Sequence, residues 1–164
     1  MKFIIVIPAR YQSTRFPGKP LINIMGKTMI ERVYNQCKIA VDPKLIYIAT
    51  DDLRIQSFCE SKKYNCLMTS KNCLTGTDRV AEVSKMIDAD YYINVQGDEP
   101  LFNPDDINIL IEAIYNTSNN YDVFSGYCDI SQKTDFFSYS IPKLIFNQLE
   151  ELLYMSRSPI PGNK

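Results

Sequence analysis

The feature that most constrains this chain is its opening, Phe3 to Leu21, which reads FIIVIPARYQSTRFPGKPL. The run Phe3-Ile4-Ile5-Val6-Ile7 is apolar and rich in β-branched side chains. It is too short for a buried helix, and it lacks the alternation of a strand with one wet face. It therefore predicts a central strand covered on both sides. Pro8 is expected to end that strand, because proline has no N–H for the ladder. The loop that follows carries three cations, Arg10, Arg15 and Lys19, with Ser13, Thr14 and Gly18 among them. Open α/β sheets take ligands at the carboxyl ends of their strands. Guanidinium forks grip phosphate oxygens in pairs and lysine adds a point charge, so the loop suits a polyanion such as a triphosphate. A plain solvated loop would share this composition. The loop has neither G-x-G-x-x-G nor G-x-x-x-x-G-K-[ST], so it lies outside the common phosphate fingerprints.

The rest of the composition narrows the chemistry. A chain of 164 residues fits one domain with a substantial core. A net charge of −1 gives no basic field for nucleic acid. No apolar run approaches the ~20 residues of a membrane span. Met1-Lys2 and five apolar residues are too little for a secretory signal, so a cytoplasmic location is expected. The five cysteines, Cys37, Cys59, Cys66, Cys73 and Cys128, are odd in number and form no C-x-x-C, which suits reduced thiols. There is no histidine. That removes Ser-His-Asp and Cys-His machinery and the usual zinc sites, leaving carboxylates, lysine, arginine, hydroxyls and bound metal.

Along the chain, strands and helices are expected to alternate. Met29, Val33 and Cys37, with Ile30 beside them, recur at helical spacing over about 29–40, and Thr28 with Glu31 forms a capping-box pattern. Leu45 to Ala49 reads as a second buried strand, followed by a helix over about 52–63. Asp51 between them is either that helix's cap or a metal or ribose ligand. Cys66 to Thr69 reads as a short strand. Thr75 and Asp78 then signal the start of a helix with Val80, Val83 and Ile87 inward. Arg79 in its first turn runs against the helix dipole, which marks it as either an ordinary surface arginine or a functional one. Tyr91 to Val95 reads as a strand running into Gln96-Gly97-Asp98-Glu99-Pro100. Gly97 permits close approach, and Asp98 at a strand's carboxyl end is a hard oxygen donor suited to Mg²⁺, although this tetrapeptide is also a plain turn pattern. Asn103-Pro104-Asp105-Asp106 opens a helix with Ile107, Leu110, Ile111 and Ile114 as its core stripe. A polar turn over 116–120 and a return to the sheet over 121–127 are expected next. Lys143–Phe146 and Leu152–Met155 read as a hairpin.

Four of these segments resemble one family. Ile7-Pro8-Ala9-Arg10 with Ser13-Thr14-Arg15 and Pro17-Gly18-Lys19-Pro20-Leu21 is similar to the amino-terminal signature of the 3-deoxy-manno-octulosonate cytidylyltransferases, the CMP-Kdo synthetases. Thr75-Gly76-Thr77-Asp78-Arg79-Val80-Ala81-Glu82 resembles their S-G-T-[DE]-R-x-A-E, with Thr for the first Ser. Asn94 to Pro100 matches N-V-Q-G-D-E-P. Ser156-Arg157-Ser158-Pro159-Ile160-Pro161 resembles S-R-x-x-I-P, with Met155 where an aromatic usually stands.

The resemblance implies an α/β, Rossmann-like, mostly parallel sheet, the nucleotide-diphospho-sugar transferase fold, with a C-terminal hairpin. One cytidylyltransferase domain would span 1–164, with a nucleotide half over 1–120 and the start of a sugar-acid and dimerisation half over 121–164. The implied activity transfers CMP from CTP to Kdo, for lipopolysaccharide or capsule synthesis. The implied nucleotide contacts are Pro8, Ala9, Arg10, Ser13, Arg15, Lys19, Arg79 and Gln96. Arg10, Lys19 and Asp98 would be catalytic, Asp98 would hold Mg²⁺, and Gln96 and Arg157 would face the sugar acid. A homodimer, with no nucleic-acid partner and no membrane insertion, is implied as well. CMP-sialic acid synthetases share I-P-A-R, but Gly18-Lys19-Pro20-Leu21 favours Kdo over them. Members of the family continue well past S-R-x-x-I-P, so a fragment, a truncated product or a non-catalytic nucleotide-binding module is the alternative expectation. Kdo and its 8-amino analogue are not separated by these motifs.

Overall fold

A computed structural model describes residues 1–12, 16–117 and 121–162. The opening apolar run forms β1 (Phe3–Ala9), and its alternation explains why it needs cover on both sides. Ile5 and Ile7 point into one core, and Ile4 and Val6 into the other. The strand runs one residue past Pro8, contrary to the expectation that proline would end it, and Pro8 still sits opposite Ala49 of the next strand. The reason is directional. Val6 offers its carbonyl to Val95 N at 3.1 Å, so Pro8, two residues on, turns its missing N–H to that same side. Pairing on that side has already ended at Val6 and Asn94, so no ladder bond is lost.

A tight hairpin of β2 (Asn23–Ile24) and β3 (Lys27–Thr28) follows, and sequence reasoning did not anticipate it. Its turn places Met25 at φ 49° and Gly26 at φ 84°, the paired positive angles of a two-residue turn, and Asn23 Oδ1 accepts from Gly26 N. Helix α1 (Met29–Ala40) starts at Thr28 with the expected capping box to Glu31. Its inward stripe is Ile30, Val33, Tyr34 and Cys37, as expected except that Tyr34 is buried and Met29 is only half-buried. Strand β4 (Ile46–Thr50), helix α2 (Leu53–Lys62), strand β5 (Asn65–Met68), helix α3 (Gly76–Val83), strand β6 (Tyr91–Asn94) and helix α4 (Asp105–Thr117) complete the alternation.

The four long strands pair in parallel in the order β5-β4-β1-β6. Side chains of α1, α2 and α4 cover one face, and Val80 and Val83 of α3 cover the other. The buried strand β1 therefore lies at the centre, with its carboxyl end at the edge where open α/β sheets generally take ligands. Asn116 and Thr117 belong to α4 rather than to a turn, and 118–120 lie outside the described residues. The segment 121–127 forms no strand. It contains Asp122, Ser125 and Gly126, residue types with weak preference for a pleated ladder.

The chain divides into two compact units, Met1–Phe124 and Ser125–Lys164. The second unit holds a short helix, α5 (Lys133–Phe137), which sequence reasoning missed, and the expected hairpin of β7 (Lys143–Phe146) and β8 (Leu152–Ser156). Lys143 is buried and caps this unit internally, donating to the carbonyls of Ser138, Ile141 and Arg157.

Candidate functional site

The carboxyl ends of β1 and β6 approach each other closely, and a glycine is what allows it. A Cβ at Gly97 would lie 2.7 Å from the Pro8 carbonyl oxygen, closer than any real contact. With no side chain there, the Gln96–Asp98 segment hugs the end of β1. Asp98 then stands beside the loop that leaves β1, and its Oδ2 accepts from Lys19 Nζ at 2.6 Å. Lys19 opens a 3-10 turn (Lys19–Leu21) after Gly18, whose φ of 75° suits a residue without Cβ. The two groups that the sequence assigned to phosphate and to metal are thus one ion pair in the free protein. Their side chains are 39% and 51% exposed, so the pair is open to water and to ligand.

The amino-terminal end of α3 closes a second side. Thr75 and Asp78 make the expected capping box, with Thr75 N donating to Asp78 at 2.8 Å and Asp78 N to Thr75 at 3.1 Å. That backbone N–H bond, with the second from the hydroxyl side, holds the Asp78 carboxyl below the usual carboxylate range. Gly76 packs tightly on Pro8 and Gln96, where an added Cβ would meet the Pro8 ring at 3.1 Å and Gln96 Oε1 at 3.4 Å. Arg10 reaches across to the Leu74 carbonyl at 3.3 Å. Pro8, Arg10, Lys19, Gln96 and Asp98 are therefore gathered with the first turn of α3, while Ala9 is the buried last residue of β1. Ser13 and Arg15 lie outside the described residues.

Arg79 is not a surface arginine. It is 2% exposed, and its guanidinium donates to Thr69 Oγ1 and pairs with Asp51 Oδ1 at 3.4 Å. This places a charge on the inner side of α3 and ties the ends of β4 and β5 to that helix. Asp51 does not cap α2. Asp52 does, accepting from Arg54 N at 2.9 Å, because the acid next to the first helical residue has the shorter reach to its N–H groups. Sequence reasoning did not join Asp51 to Arg79, although an acid at a strand end and an arginine breaking a dipole rule were both visible.

Arg157 belongs to the second unit, where its Nη1 donates to the carbonyls of Tyr139 and Ser140 at 3.0 and 3.1 Å. No group of three or more metal-ligating side chains occurs among the described residues. A cation at Asp98 would therefore need substrate oxygens and water for most of its shell. That suits Mg²⁺, which binds through one or two carboxylates plus phosphates.

A parallel sheet whose central carboxyl edge carries a lysine–aspartate pair, beside a capped helix start, is the frame of a nucleotide-handling α/β protein. The comparisons specify it further. A family model described as cytidylyltransferase matches residues 4–164, and the chain belongs to this family. It is 38% identical over 160 residues to 3-deoxy-manno-octulosonate cytidylyltransferase from Escherichia coli, covering 98% of this chain and 64% of the relative. It is 38% identical over 164 residues to 8-amino-3,8-dideoxy-manno-octulosonate cytidylyltransferase from Shewanella pealeana, covering 98% of this chain and 67% of that one. Among solved structures, it is similar to a CMP:2-keto-3-deoxy-manno-octonic acid synthetase complexed with CTP, with a TM-score of 0.86 and 36% identity over 98% of this chain and 66% of the other. The chain spans about two thirds of the length of the relatives it matches.

Proposed function

We propose that this protein is a CTP-dependent nucleotidyltransferase that activates an acidic keto-sugar, with Kdo as substrate and CMP-Kdo and pyrophosphate as products. The observation that carries the reading is the Lys19–Asp98 pair at the carboxyl edge of β1 and β6. It holds a phosphate-seeking cation and a hard metal donor at one point. Family membership over residues 4–164 and the CTP-complexed neighbour support it.

Lys19 and Arg10, with Arg15, would take the phosphate oxygens of CTP, and the anomeric hydroxyl of the sugar acid would attack the α-phosphorus in line. The chain's contribution is orientation and charge neutralisation. Gly97 and Gly76 leave room for backbone and nucleotide at Pro8 and Gln96. Arg79, paired with Asp51 and bonded to Thr69, holds the first turn of α3 against the ends of β4 and β5. Asp98 is the residue that would hold Mg²⁺. When bound, that ion supplies charge neutralisation on the phosphates and acidity to the attacking hydroxyl, which compensates for the absence of histidine. Arg157 would pair with the sugar carboxylate through its fork.

The relatives include both Kdo and 8-amino-Kdo cytidylyltransferases, and Gly18-Lys19-Pro20-Leu21 favours this group over sialic acid activation. A cytoplasmic homodimer serving lipopolysaccharide or capsule synthesis completes the proposal. No helix among the described residues is long and apolar enough to cross a membrane. The test is pyrophosphate release from CTP and Mg²⁺ with Kdo, 8-amino-Kdo and sialic acid. Release with Kdo alone supports the reading. CTP binding without release from any of them overturns it.

A further inference from the structure

We propose that Arg54 and Tyr11 form a clamp on the cation loop, and that Arg54 is a positioning residue for phosphate binding. The proposal rests on the reading of Lys19 as a phosphate ligand and adds two residues outside it. The guanidinium carbon of Arg54 lies 3.3 Å from the centroid of the Tyr11 ring, within stacking distance. The same ring limits the other end of the loop. A Cβ at Gly18 would come within 3.0 Å of its Cζ and its hydroxyl oxygen, and Gly18 N donates to the Tyr11 carbonyl at 2.8 Å. Lys19 is the next residue. One ring thus fixes the base of the loop that delivers Lys19 to Asp98.

Arg54 is itself held rigidly. Its Nε and Nη2 donate to the two oxygens of Asp52 at 2.9 and 2.6 Å, and Asp52 caps α2. The plane of the guanidinium is therefore set by a helix start on the strand next to β1. Two features separate this from a purely structural contact. The Arg54 side chain is 57% exposed and outside the core, which α2 enters through Ile55 and Cys59, and the cap uses the Arg54 backbone N–H. Removing the guanidinium leaves core and cap in place. Its charge is also neutralised by Asp52, so any effect on a bound phosphate must travel through Tyr11 and the loop.

The test measures affinities for CTP with Mg²⁺ by calorimetry, and for cytidine by NMR titration. The proteins are the parent, Arg54→Met, Tyr11→Leu, Tyr11→Phe, the Arg54→Met/Tyr11→Leu double variant, and Lys19→Ala. An exposed stacking contact sets the scale at about two- to fivefold. Arg54→Met and Tyr11→Leu are each expected to weaken CTP by that factor and to leave cytidine unchanged. The double variant should be no weaker than the worse single one, and Tyr11→Phe should match the parent. Unchanged CTP affinity in Arg54→Met, with a loss in Lys19→Ala, would overturn the clamp and leave the CTP site standing. Equal losses for CTP and cytidine, or additive losses in the double variant, would also overturn it. No loss in Lys19→Ala would remove the phosphate reading on which the clamp depends.

Discussion

Lys19 and Asp98 neutralise each other at 2.6 Å, yet so exposed a pair contributes only about 0.2–1 kcal/mol. A triphosphate with its cation can therefore displace both groups from each other, the lysine going to phosphate and the carboxylate to metal. Lys19→Ala is expected to weaken CTP binding by about 1–3 kcal/mol, the scale of a charge-assisted contact. Calorimetric titration checks this, with Lys38→Ala, an exposed residue in the last turn of α1, as the unchanged control. Asp98 was legible in the sequence because it stands four residues after a strand, and Lys19 because it belongs to the cation-bearing loop that leaves the buried β1. Arg79 was legible only as an anomaly. Its partners, Asp51 and Thr69, arrive from β4 and β5, and nothing local in the sequence announces that meeting.

At the scale of elements, the site depends on how closely β6 runs past β1. Gly97→Ala would force a methyl carbon to within 2.7 Å of the Pro8 carbonyl, and backbone on both sides must shift. The expected cost is about 1–3 kcal/mol of stability, with loss of CTP affinity from displacement of Asp98. Thermal melts and titration of the same variant read both.

Three carboxylates, two of them at helix starts, set the response to acid. Asp52 is held low by the Arg54 guanidinium, Asp78 by backbone and hydroxyl bonds from Thr75, and Glu82 by the Cys73 thiol and the Ser70 N–H. Each binds a proton less readily folded than unfolded. Their stabilisation is therefore complete above the ordinary carboxylate pKa of about 4 and is lost as pH falls below it. On the alkaline side burial pushes the Cys37 thiol, and burial and then Glu31 push the Tyr64 hydroxyl, up to about 12. The unfolded chain ionises these groups first, so stability should fall again as pH rises past about 9 to 10. Urea midpoints from pH 3 to 11 should trace a plateau with both limbs. A flat acid limb, or an acid limb unchanged in Asp78→Asn, would contradict the role given to these caps.

The capping boxes at Thr28 and Thr75 were legible because they need only four consecutive residues. The strand expected over 121–127 was not realised, because Asp122, Ser125 and Gly126 interrupt its apolar residues and, among the described residues, no sheet edge pairs with it. The β2–β3 hairpin escaped notice because its strands are two residues each, too short for any alternation to show.

At the scale of the molecule, the two units differ in cover. The first encloses its sheet on both faces. In the second, Leu152, Leu153, Tyr154 and Met155 of β8 are all more than half exposed, and a two-stranded sheet with bare apolar faces is marginal alone. The chain is therefore expected to self-associate with rising concentration, and Leu153→Lys is expected to shift it toward the monomer. Sedimentation velocity checks this.

The most direct test of the central claim is the Mg²⁺ dependence of CTP binding in the parent and in Asp98→Asn, by calorimetry, with circular dichroism to confirm folding. The parent should bind CTP more tightly when Mg²⁺ is present, and folded Asp98→Asn should lose that dependence. Equal affinity for Mg²⁺–CTP in the two proteins would show that Asp98 is only a turn residue, and the site built around it would not be a nucleotide–metal site.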